Sequence, residues 1–132
     1  MVLVDTSAWI DFLRGTPSAP ATALETLVVD RADICICGVI MTEILQGIRN
    51  DKQFTQTMDL LAAAVFLPMA HETFINSAQL YRKLRKKGFT VQKPIDCMIA
   101  AVAIEHDLPL LHNDRDFQPL EKHCSLKVYK TK

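Results

Sequence analysis

Five acidic residues stand at positions where a carboxylate can do more than meet solvent. Asp5 directly follows the apolar run Val2-Leu3-Val4. Asp114 and Asp116 follow a second apolar run, Leu108 to Leu111, in the stretch His112-Asn113-Asp114-Arg115-Asp116-Phe117. Asp96 comes two residues after Pro94, and Glu43 lies among Ile40, Ile44 and Leu45. Taken singly, each has an ordinary role. Asp5 suits an N-cap, Asp96 the positive end of a helix, Asp114 and Asp116 a turn. Glu43 suits a solvated stripe with Gln46. Brought together they repel: two carboxylates about 4 Å apart cost about 4 kcal/mol at an effective dielectric near 20. Such a cluster needs a proton or a cation. Oxygen-only ligands favour Mg²⁺ or Mn²⁺. One or two such ions activate water and stabilise the leaving oxygen of a phosphodiester.

The elements that must position these residues alternate between strand and helix. Val2 to Val4 reads as a buried strand. Asp5-Thr6-Ser7 offers caps to a helix carrying Trp9, Ile10 and Leu13, ending near Gly15. Thr16 to Pro20 reads as a loop. Ala21 to Val29 reads as a helix, with Thr22 and Glu25 as a capping box. Ile34 to Ile36 is a second strand, followed by a helix over Val39 to Ile48. Phe54 to Ala64 is another helix, and Val65 to Leu67 a third strand stopped by Pro68. His71 to Lys87 is a longer helix with Phe74, Ala78, Tyr81 and Leu84 as its apolar stripe, ended by Gly88. Pro94 opens a helix to about His106 that is apolar nearly all round. Leu108 to Leu111 is a fourth strand and Leu126 to Tyr129 a possible fifth. The pattern predicts an α/β fold with a mainly parallel sheet of four to five strands covered on both faces. Ligands bind beyond the carboxyl ends of such strands. That is where Asp5, Asp114 and Asp116 fall.

The 132 residues argue for a single domain over 1–132. With 49% apolar and 23% charged residues, the chain has a core to bury and lacks the signature of disorder. No apolar run reaches the roughly 18–20 residues of a membrane span. The start of the chain does not read as a signal peptide, so the expected location is cytoplasmic. Fifteen basic and fifteen acidic side chains cancel, which excludes coating nucleic acid by bulk charge. Cys35, Cys37, Cys97 and Cys124 have no disulfide-scaffold spacing and read as reduced, buried small hydrophobes. A zinc site with His112, His123 and Cys124 is disfavoured, since paired C-x-x-C spacing is absent. The run Arg82-Lys83-Leu84-Arg85-Lys86-Lys87 is the one basic concentration; its ordinary reading is a solvated helix face. Arg82, Arg85, Lys86, Lys93 and Arg115 are the candidate phosphate contacts. Trp9 and Phe12 read first as core or interface, and second as bases' stacking partners.

Four stretches occur in order. They are Val4-Asp5-Thr6-Ser7-Ala8-Trp9-Ile10, Glu43-Ile44-Leu45-Gln46-Gly47, Asp96-Cys97-Met98-Ile99-Ala100-Ala101 and Leu111-His112-Asn113-Asp114-Arg115-Asp116-Phe117. Together they resemble the PIN domain, in particular the VapC-type toxins of toxin–antitoxin pairs. The resemblance covers almost the whole chain. It implies a three-layer sandwich, a Mg²⁺- or Mn²⁺-dependent ribonuclease, a small inhibitory antitoxin partner and a homodimer. Carried over, Asp5, Glu43 and Asp96 match three core acidic positions and Asp114 the fourth, with Asp116 close enough to share that role. Ser7 matches a hydroxyl position supporting the first carboxylate, with Thr6 and Asn113 beside it in the supporting set. Relatives often carry Thr at the position of His112, so hydrogen bonding around Asp114 is where this chain departs. The expected substrate is single-stranded or looped RNA, such as a transfer or ribosomal RNA loop, because A-form grooves are hard to read. The antitoxin is expected on an apolar groove near the site.

Three other readings compete. A haloacid-dehalogenase-like phosphatase needs a second Asp two residues after the first, where this chain has Ser7. A nucleotide-binding Rossmann domain needs a Gly-rich first turn, and this one is Asp5-Thr6-Ser7-Ala8. A catalytically silent PIN-like module that binds RNA or a partner differs only in turnover and metal dependence.

Overall fold

A computed structural model describes residues 1–131. Strand β1 (Val2–Val4) leads into helix α1 (Thr6–Arg14), then α2 (Ala19–Val29) and β2 (Ile34–Cys37). Helices α3 (Gly38–Gln46) and α4 (Asp51–Ala62) precede β3 (Val65–Leu67). Helices α5 (His71–Lys86) and α6 (Pro94–Glu105) precede β4 (Leu110–Leu111). A 3₁₀ turn (Arg115–Phe117) and a short helix α7 (Gln118–His123) follow. The sheet is wholly parallel with order β3-β2-β1-β4. Its helices make this the α/β architecture the alternation predicts. The strand order reverses between β1 and β4, and an open α/β sheet forms its crevice at such a point. Leu3 pairs with Leu110 and Val4 with Leu111, so the register carries Asp5 to the level of His112.

The core gathers on both sheet faces. Leu3, Val4, Cys35, Ile36, Leu110 and Leu111 are fully buried, as expected of strands covered on two sides. Helix α6 is buried from Cys97 to Ala103 apart from the half-buried Met98. Trp9 is core, only 2% exposed, with Phe12 edge-on to it at 6.3 Å. That settles Trp9 against base stacking. All four cysteines are free and buried. Among the described residues, no helix is long and apolar enough to cross a membrane.

Several elements differ from the sequence expectation. The fifth strand is reduced to a single bridge between Leu110 and Val128, leaving four strands. Helix α2 starts earlier, with Ser18 as its N-cap accepting from the Ala21 amide at 3.1 Å; Thr22 and Glu25 form no capping box there. The expected stripe of α5 is also shifted: Thr73, Ser77 and Leu84 are its buried residues, while Phe74 is 48% exposed. Helix α5 packs on the alanine-rich α6. Small residues there allow close approach, and the buried Thr73 Oγ1 donates to the exposed Glu105 at 2.9 Å. The 3₁₀ turn and α7 had no counterpart in the sequence reading.

The end of α5 is fixed by Gly88. Its φ of 88° lies in the left-handed region, and the Gly88 and Phe89 amides donate to Arg85 and Leu84 carbonyls, each at 3.0 Å. This is a Schellman closure, which glycine adopts without strain. A Cβ at Gly88 would meet no atom within 4 Å, so Gly88→Ala costs only the backbone conformation. We expect a loss of about 1 kcal/mol, measured as a lower urea midpoint with an unchanged slope.

Candidate metal centre and active site

Asp5 ends β1 and caps α1. Its Oδ2 accepts from the Ser7 amide at 3.0 Å and the Ser7 hydroxyl at 2.6 Å, and the carboxyl group is 4% exposed. The same Ser7 oxygen accepts the Asn113 amide at 2.9 Å. Asn113 Nδ2 donates to Asp11 at 2.7 Å. Ser7 and Asn113 thus tie the first carboxylate to the loop after β4. Thr6 Oγ1 donates to Glu43 Oε1 at 2.9 Å, holding the half-buried Glu43 against the N-terminus of α1. Ser7→Ala removes a hydrogen bond to the buried Asp5 carboxylate and the acceptor of the exposed Asn113 amide. We expect a cost of about 2 kcal/mol, read by chemical denaturation in EDTA.

On the other side of the crevice, the carboxylates of Asp96, Asp114 and Asp116 come together. One oxygen from each lies within 4.8 Å of the others. Asp96 sits in the first turn of α6 and is 5% exposed. Asp114 caps the 3₁₀ turn by accepting the Asp116 amide at 2.9 Å. Lys93 reaches into this group, donating to Asp114 Oδ2 at 2.5 Å and lying 3.7 Å from both Asp96 and Asp116. Its ammonium neutralises part of the cluster. Lys93 had been expected only as a phosphate contact.

The electrostatics are those of a site short of positive charge. Burial pushes the Asp96 carboxyl up to about 7. Lys93 draws it down, while the charges of Asp114, Asp5 and Asp116 push it further up. The charge of Asp5 thus reaches Asp96, although Asp5 stands outside the group of three carboxylates. For Asp114, burial also pushes upward, but the hydrogen bonds from Lys93 and the Asp116 amide hold it below the ordinary carboxylate range. The bond to Asp114 in turn raises Lys93 to about 12. Burial pushes the Cys37 thiol up, and the charges of Asp5 and Glu43 add to that. Glu43 thus lies on the Asp5 side of the crevice, outside the Asp96–Asp114–Asp116 triad.

His112 answers the departure noted in the sequence. Its Nδ1 accepts the Asp114 amide at 3.1 Å, and its ring packs on Phe117 with centroids 4.8 Å apart. Burial lowers its pKa, which keeps Nδ1 free to accept. The histidine therefore orients the turn that carries Asp114. No zinc-type group involving His112, His123 or Cys124 exists among the described residues; the triad is the one group that could hold a metal. Its all-oxygen donors, incomplete neutralisation and raised Asp96 fit a hard divalent cation.

Of the other basic candidates, Arg82 bonds Gln79 at 2.9 Å and Arg85 lies 5.8 Å over the Tyr81 ring. Lys86 is exposed. Arg115 follows Asp114 and lines a cavity that also reaches Asp96 and Asp116.

Comparison with known proteins places this geometry. The family model described as PIN domain matches residues 2–122. Over 130 residues, 97% of each chain, the sequence is 35% identical to a VapC ribonuclease of Mycobacterium bovis and to ribonuclease VapC11 of Mycobacterium tuberculosis. The solved structure of VapBC2 from Rickettsia felis, bound to a DNA fragment from their promoter, superposes with a TM-score of 0.78. It is 19% identical and each chain is covered in full.

Proposed function

The chain belongs to the PIN-domain family, and from that premise we propose that it is a Mg²⁺- or Mn²⁺-dependent endoribonuclease, the toxin of a toxin–antitoxin pair. Ribonuclease activity is supported by the VapC ribonucleases it resembles along 97% of its length. The observation that carries the metal-dependent reading is the meeting of Asp96, Asp114 and Asp116.

In this reading Asp5, Asp96 and Asp114 would hold the ion, with Asp116 beside Asp114 and Glu43 contributing from the Asp5 side. A bound divalent ion supplies water activation and charge stabilisation at the phosphodiester. Ser7 fixes Asp5 in one rotamer, and the His112 ring fixes the turn bearing Asp114. Lys93, paired with these carboxylates here, would be available to a substrate phosphate if a cation took over their neutralisation. Arg115 stands beside the same opening. Arg82, Arg85 and Lys86 remain candidates for longer-range attraction of RNA. The substrate is a single-stranded or looped segment.

The partner reading rests on a second groove. A cavity of about 170 Å³ is lined by Ile10, Leu13, Ile44 and Ile48 together with Arg14, Arg49 and Glu43. An antitoxin segment with apolar side chains suits its isoleucine and leucine wall. Relatives solved as VapBC assemblies support a VapB-like partner. A homodimer is favoured by the resemblance, and Phe66 and Phe74 are exposed apolar side chains suited to an interface.

The test is to purify the protein free of partner and incubate it with total RNA in Mg²⁺, in Mn²⁺ and in EDTA. Discrete fragments with either ion and none in EDTA support the nuclease reading. Folded protein that binds RNA but never cuts it favours the silent module.

A further inference from the structure

We propose that the cavity beside the acidic cluster is a nucleobase subsite that selects the nucleotide next to the cleaved phosphate. The inference rests on the ribonuclease reading above and deepens it. The cavity measures about 370 Å³ and has Asp96 and Asp116 in its wall. It therefore opens directly from the carboxylates that would face the scissile phosphate. Ligand pockets of useful size begin at about 300 Å³, so the cavity is large enough for one nucleotide base.

The lining chemistry separates base from backbone. Leu84 and Leu120, 2% and 1% exposed, form an apolar floor. Phe89 forms a wall, 37% exposed and backed by His123 at a ring separation of 5.0 Å. A phosphate has no partner on such surfaces, whereas a base stacks on an aromatic face with little regard to identity. Gln92 and Gln118, whose side chains end in amides, also line the cavity. Each offers a donor and an acceptor, the groups needed to read a base edge.

Positive charge marks the path of the strand. Arg115 and Lys122 line the cavity. The charges of Lys87, Lys122 and Lys83 all bear on His123, directly behind Phe89. Lys83 and Lys87 of the helical run lie one turn apart on the same side of the inward-facing Leu84, near enough to His123 for their charges to act on it. A strand leaving the acidic cluster meets first an apolar slot for its base, then lysines for its next phosphates. The Schellman closure at Gly88 builds the slot, since it folds Phe89 to Gln92 back beside Leu84.

The test uses hairpin RNAs with a randomised loop, cut by wild-type, Phe89→Ala and Gln92→Ala proteins, with the cut sites sequenced. Wild type is expected to show a base preference at one position adjoining the cut. Gln92→Ala should flatten that preference about tenfold, and Phe89→Ala should slow cleavage about tenfold when that base is present. An abasic nucleotide at the same position should slow wild type equally and leave Phe89→Ala unaffected. Preferences unchanged in both variants, or an abasic effect that persists in Phe89→Ala, would overturn the subsite. That result is also expected if a protein segment fills the cavity instead. Absence of any ion-dependent cutting by wild type would remove the nuclease reading itself, and the subsite with it. Melting temperatures of both variants separate lost recognition from lost folding.

Discussion

Asp96→Asn will slow RNA cleavage by about 1000-fold. The change keeps the shape of the side chain and removes one of the charges that would hold the ion. Loss of an ion's stabilisation costs several kcal/mol in the transition state, and about 4 kcal/mol corresponds to three orders of magnitude. Asp96 is the most buried member of the triad, so water cannot replace its oxygen easily. Single-turnover rates at saturating Mn²⁺ give the comparison. A loss below tenfold would mean that Asp96 is not among the ligands. Asp116→Asn, at the exposed edge of the cluster, is expected to lose less.

The same substitution will stabilise the protein when no ion is present. In the fold, burial raises Asp96 from 3.8 to about 7, a difference worth about 4 kcal/mol. Below the ordinary carboxylate range the group is protonated in both folded and unfolded chains, and the fold bears no penalty. Between about pH 4 and 7 the unfolded chain releases this proton while the folded protein keeps it, so stability falls as pH rises. Above 7 the penalty is complete. In EDTA, Asp96→Asn should therefore match wild type near pH 4 and exceed it by about 4 kcal/mol at pH 8. Chemical denaturation across that range checks the sign and the window. Mg²⁺ should remove the difference by stabilising wild type alone. Equal stability of the two proteins at pH 8 in EDTA would contradict the electrostatic account.

Asp5 and Asp96 were legible from sequence for a physical reason. Each adjoins an apolar segment whose burial fixes it: one ends a buried strand, the other begins a buried helix. A carboxylate there has few places to go. Asp114 and Asp116 were legible as a pair, because the turn after β4 holds both. Glu43 could be singled out from its isoleucine and leucine neighbours, but its assignment to the site rested on resemblance to a family, since those neighbours say only that the helix has a buried side. Its bond to Thr6 joins residues 37 apart in sequence, which no local pattern reveals.

Other features depended on packing that sequence patterns do not encode. The position of Lys93 among three carboxylates requires a long side chain to cross to a loop 21 residues away. Helix α5 was given an apolar stripe through Phe74, yet Thr73 and Ser77 face α6. Counting apolar residues misses a contact made close by small polar ones. Helix α7 has six residues, too few for its period to register. The basic run shows what helical phase can add. Once Leu84 is known to be buried, Lys83 and Lys87 fall one turn apart on the side toward His123, while Arg82 and Arg85 engage their own helix.

The central claim is that the crevice between β1 and β4 is a divalent-metal centre. A crystal of the protein soaked in Mn²⁺, measured at a wavelength where manganese scatters anomalously, tests it most directly. The account predicts an anomalous peak bridging Asp96 and Asp114, within ligand distance of Asp5 directly or through water, with the Lys93 ammonium displaced. A protein that cleaves RNA in Mn²⁺ but shows its peak elsewhere, or leaves Lys93 seated among the three carboxylates, would contradict it.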